Sequence, residues 1–161
     1  MTGFLNTTIR RWSLVIAALL SLAAPAVAAA TAPASATGAG HSGAGDQRRT
    51  FSFSAVARPD GSAKGNAQLF ARGFPAKVHM RVTCLRVEGN IAYVSGLNTK
   101  AAPDVFEDIY AIFAAEDNGE GGAVDRVTQF HPAATQSEDA CLTESPSDFF
   151  PIEQGNVQVR A

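Results

Sequence analysis

From Thr50 onward the chain alternates apolar and polar residues with period two, in short stretches separated by turn residues, as a sheet with one buried face does. Thr50 to Arg58 places Phe51, Phe53, Ala55 and Ala57 on one face and Ser52 and Ser54 on the other. Arg58-Pro59-Asp60-Gly61 then supplies a turn, because proline presets the first turn position and glycine accepts positive φ. Ala63 to Ala71 returns with Ala67, Leu69 and Ala71 opposite Asn66, Gln68 and Phe70. Ala76 to Cys84 alternates most cleanly, with Val78, Met80, Val82 and Cys84 facing inward and Lys77, His79, Arg81 and Thr83 outward. Leu85 and Val87 have the opposite parity, so a β-bulge near Cys84 is expected to bring both sets to the core.

Glu88-Gly89-Asn90 is the next turn, Ile91 to Leu97 the next strand, and Asn98 to Asp104 a looser connection. Val105 to Glu116 is apolar on both faces, through Ile109, Ala111 and Phe113 and through Tyr110 and Ile112. It reads as a central strand covered on both sides; a buried helix is the rival, disfavoured by the β-branched and aromatic content. Asp117 to Gly122 is a turn, Val124 to Phe130 a short strand, and Gly155 to Ala161 a last strand carrying Val157 and Val159. Between them His131 to Glu153 is long and irregular, with Pro132, Pro146, Pro151 and Cys141. The fold class expected is all-β: a single antiparallel β-sandwich or small barrel of seven to eight strands, spanning 48–161, with one disulfide.

The residues before this pattern read differently. Arg10 and Arg11 without an acid, an apolar run from Ser13 to Ala24, Pro25 and then Ala26-Val27-Ala28 follow the order of a bacterial secretory signal peptide. Residues 1–28 are assigned to it, with cleavage after Ala28. An uncleaved anchor over Leu14 to Ala30 and twin-arginine export are the alternatives, disfavoured by Pro25 and by Ile9 respectively. Residues 29–47 are Ala, Gly, Ser, Thr and Pro with little to bury, so a disordered spacer is expected there, with His41 solvated.

An exported address makes Cys84 and Cys141 most simply a disulfide, with free buried thiols as the alternative. Two thiols this far apart lack the ligand count for a metal site, and no cofactor is expected. Gln47 to Lys100 carries nine Lys or Arg against Asp60 and Glu88, whereas Ala101 to Ala161 carries twelve Asp or Glu against Arg126 and Arg160. A bipolar surface for a polyanion is one reading. The other, preferred, is that strands from opposite halves pair and neutralise each other. Nucleic acid is disfavoured as a partner, and so is stable membrane insertion of the mature chain.

Asp117-Asn118-Gly119-Glu120-Gly121, the terminal Gly155-Asn156-Val157-Gln158-Val159, and Cys84-Leu85-Arg86-Val87 with Gly89-Asn90 resemble elements of small secreted β-domains of actinobacteria, the post-COAP group included. The resemblance covers roughly 50–161 and implies a secreted all-β domain of unassigned activity, with no catalytic residue to transfer.

Catalysis finds little support. His41, His79 and His131 stand in no nucleophile-elbow setting. The only tryptophan, Trp12, leaves with the signal peptide, and Tyr93 and Tyr110 read as core residues, so an aromatic sugar platform is unsupported. Phe149-Phe150-Pro151 reads as a plug for the end of the core, with a partner anchor as the alternative. Asp117 to Asp125 reads as a tight turn, with a calcium site second, since Asp117, Glu120 and Asp125 give three carboxylates where calcium takes six to eight oxygens. The function expected is a non-catalytic extracellular interaction domain, its partner an extracellular protein or envelope component. The alternative is a secreted hydrolase with its site in the acidic second half.

Overall fold

The computed structural model describes residues 32–43, 48–73, 76–121 and 123–161. The expected signal peptide and its cleavage site at Ala28 lie outside the described residues. Strands β1 (Ser35–Ser42), β2 (Arg49–Ala57), β3 (Ala63–Ala71), β4 (Ala76–Glu88), β5 (Ile91–Ala102) and β6 (Tyr110–Glu116) follow one another as antiparallel neighbours. β7 (Arg126–Val127) pairs with both β6 and β9 (Phe150–Arg160), and β9 pairs with β1, which closes an eight-stranded barrel. A ninth strand, β8 (His131–Pro132), continues along the β6 edge that β7 has left. Of the two architectures expected, this is the barrel, the one that leaves no open sheet edge.

The alternation explains the filling. Phe51, Phe53, Met80, Val94 and Phe113 point inward and are buried. Phe113 meets Phe53 edge-on at 5.1 Å and stacks on Phe130 at 4.2 Å, so aromatic rings occupy the waist of the barrel. The expected bulge exists: Val82 and Cys84 pair with the adjacent Gly96 and Ser95, leaving Thr83 as the extra residue. It sends Leu85 and Val87 inside and Cys84 outside, so the inward position expected for Cys84 is corrected.

The spacer expectation fails at its centre. Residues 35–42 form β1, hydrogen-bonded between β2 and β9, so the domain begins well before residue 48. Small residues are required here by space. A Cβ on Gly38 would stand 2.6 Å from the Phe53 ring, and one on Gly40 would stand 2.3 Å from the Gln154 carbonyl. His41 is likewise bonded, to the Thr50 hydroxyl at 2.9 Å.

Other boundaries move too. β5 runs on to Ala102 across a second bulge at Thr99, where a looser connection was expected. Residues 105–109 fall outside β6, and Val105 is exposed. The rest of that stretch is the two-sided strand expected, with Phe113 inside the barrel and Ile112 outside under a second apolar cluster.

That second cluster lies beneath residues 133–149, which cross the outside of β4, β5 and β6. Cys84 and Cys141 form the disulfide at its centre, packed with Tyr93, Ile112, Ala114 and Ala140. Arg86 donates to the carbonyls of Cys141 (2.6 Å) and Glu144 (3.1 Å) and to the Ser145 hydroxyl (2.8 Å), and lies over the Tyr93 ring. The Cys141 N–H donates to the buried Ser95 hydroxyl. A long segment poor in regular structure thus has its backbone satisfied by side chains.

Candidate functional site

β2, β4 and β6 begin, and β3 and β5 finish, at one end of the barrel. The interior is not filled there: a cavity of about 210 Å³ lies beyond the aromatic waist, with Phe130 in its wall. Leu69, Ala71, Val78 and Ala111 give it apolar walls, each following the inward parity of its strand.

Four polar side chains interrupt that lining, Arg49, Asn98, Gln129 and His131, and the first two are inward by alternation. Arg49 precedes Phe51 and Phe53 by the same two-residue step, and its guanidinium sits 5.0 Å from the centre of the Phe150 ring. Asn98 follows Ala92, Val94 and Gly96 in step and is only 3% exposed. Its backbone is fixed by bonds to Ile109 and Asp108, and its Nδ2 donates to the Phe106 carbonyl at 2.9 Å. Among the described residues three buried side-chain polar atoms have no hydrogen-bond partner: Arg48 Nε, Arg49 Nη1 and Asn98 Oδ1. Two of the three belong to side chains lining this one cavity. A buried polar atom left unpaired costs roughly 1–3 kcal/mol.

A larger groove of about 550 Å³ runs beside the Arg58–Gly65 turn and the Glu138–Leu142 segment. Its carboxylate Asp60 is already bonded to the Ser62 hydroxyl and N–H, which hold it below the usual carboxylate range. None of the unpaired atoms lies there.

The acids of the second half have structural work. Asp125 accepts from the N–H groups of Asn118 and Val157, and Asp117 from those of Gly119 and Val159. Both therefore tie the turn to β9, and no group of three or more His, Cys, Asp or Glu among the described residues is placed to hold a metal. Glu116 pairs with Arg126, whose guanidinium lowers its pKa. His131 pairs with Asp148 at 3.0 Å.

Strands of the two halves meet where β5 pairs with β6, as the preferred charge reading expects, while the ion pairs among the described residues each join partners from one half. Phe149 packs on the outer cluster under Arg126, and Phe150 lies beneath Arg49. Arg49 and Asn98 were missed as site residues. The available signal was a polar side chain at an inward parity position, where burial without a partner is uncommon.

Fold and site together define an eight-stranded up-and-down β-barrel with a small cavity at one end. No protein-family model, curated protein or solved structure matches the chain.

Proposed function

We propose that this is an extracellular, non-catalytic binding domain whose ligand seat is the barrel-end cavity. The observation that carries the reading is a barrel-end cavity of about 210 Å³ whose lining joins apolar side chains to Arg49, Asn98, Gln129 and His131. Binding sites combine apolar walls with a few placed polar groups, and the mouths of β-barrels are a common place for them. The disulfide suits an oxidising compartment, and no helix among the described residues is long and apolar enough to cross a membrane. The likeness to post-COAP domains agrees with an exported setting and adds no activity.

Benzyl alcohol, an uncharged ring-sized probe, tests the seat by calorimetry or ligand-observed NMR. The disulfide-intact protein is expected to bind it, and Ala71→Phe, which fills the cavity from a half-buried wall position, is expected to abolish binding with little loss of melting temperature. No binding by the unaltered protein, or equal binding by the filled variant, overturns the reading.

A further inference from the structure

We infer that the ligand is a small monocarboxylate with a ring-sized body, its carboxylate held at Arg49. The inference rests on the cavity reading above and specifies it.

Size comes first. A dry apolar cavity of about 150 Å³ accommodates benzene, so by proportion about 210 Å³ encloses roughly eight non-hydrogen atoms. That is one ring with a short substituent.

Charge comes second. Arg49 is the only permanently charged side chain in the lining, no carboxylate lines the cavity, and Arg49 makes no ion pair among the described residues. A guanidinium keeps its proton at any physiological pH, and apolar walls strengthen its attraction for an anion. His131, the other titratable lining residue, is already paired with Asp148. One guanidinium balances one negative charge, and a dianion such as a phosphate monoester would find no second permanent cation in the lining. A carboxylate is the planar monoanion that matches the guanidinium fork.

The test is a panel titrated into the full, disulfide-intact protein: furan-2-carboxylate, benzoate, benzyl alcohol and benzylamine. The two carboxylates are expected to bind most tightly, at least tenfold better than benzyl alcohol, with benzylamine weakest. Arg49→Gln is expected to weaken the carboxylates tenfold or more and leave benzyl alcohol within twofold; Arg49→Lys recovers part of the loss. Benzyl alcohol binding as well as the acids, or benzylamine better, overturns the ligand class and leaves the cavity reading standing. Failure of the whole panel, benzyl alcohol included, overturns both. Should Arg49→Gln not fold, the ranking on the unaltered protein decides alone.

Discussion

The two sides of the barrel wall are closed by different means. From β2 to β5 each strand is bonded to the next along most of its length, and β5 continues to β6 through seven consecutive residue pairs. On the other side, β7 makes only two residue pairs with β6 and two with β9. What the ladder lacks there is supplied by side chains: Asp125 and Asp117 accept the β9 N–H groups of Val157 and Val159, and Arg126 reaches back to Glu116. The lesson is that a buried carboxylate can replace a missing strand, because the backbone donor needs an acceptor and is indifferent to its source.

The 133–149 segment belongs to the weak side, and the disulfide fastens it to β4 on the strong one. Cutting that link is the largest perturbation expected. A bridge between cysteines 57 positions apart restricts the unfolded chain by about 4 kcal/mol. Cys84→Ala with Cys141→Ala is therefore expected to lower the melting temperature by on the order of 15 °C. A melting temperature within a few degrees of the unaltered protein would show that the two sides hold together without the bridge.

The same contrast decides what could be read from the residues. The strong side announces itself: Phe51, Phe53, Val78, Met80 and Val82 alternate with polar partners, and the wall they form is where they were expected. Period-two burial is a property of the chain alone. β1 was illegible because its glycines answer to Phe53 and to the β9 backbone, which approach only in the folded barrel. The roles of Asp117 and Asp125 were illegible for a related reason. Their partners are N–H groups 32 and 42 positions away, and turn chemistry accounts for the same residues without them. The site falls between these cases: Arg49 and Asn98 have inward parity, but the cavity depends on how far neighbouring side chains reach.

A sharper probe of the weak side is Asp125→Ala. The residue is buried and satisfies two backbone donors, so its loss is expected to cost about 2–3 kcal/mol, more than Asp117→Ala, whose site is more exposed. Chemical denaturation measures both. With these carboxylates engaged by N–H groups, millimolar calcium is expected to leave the melting temperature unchanged. If Asp125→Ala instead costs no more than an outward substitution such as Ser52→Ala on β2, the carboxylate is not standing in for a strand.

The smallest effect expected separates the two sides by pH. Glu144 lies in the 133–149 segment, where burial raises its pKa but the N–H groups of Thr135 and Ala134 and the Thr135 hydroxyl outweigh it, leaving the pKa below the ordinary 4.5. A carboxylate with a lowered folded pKa stabilises the fold fully above its unfolded pKa, and that contribution is lost as pH falls through the folded value. The strong side has no equivalent, since Asp60 acts only within its own turn. Replacing Glu144 by Gln keeps the shape and removes the titration. At pH 7 and pH 5 the unaltered protein is therefore expected to melt above Glu144→Gln, and the gap is expected to narrow from about pH 4.5 downward. Melting curves at pH 7, 5, 4 and 3 suffice. A gap that stays constant, or that widens toward acid, would mean that the charge on Glu144 does not hold the segment, leaving its anchorage to Arg86 and the disulfide.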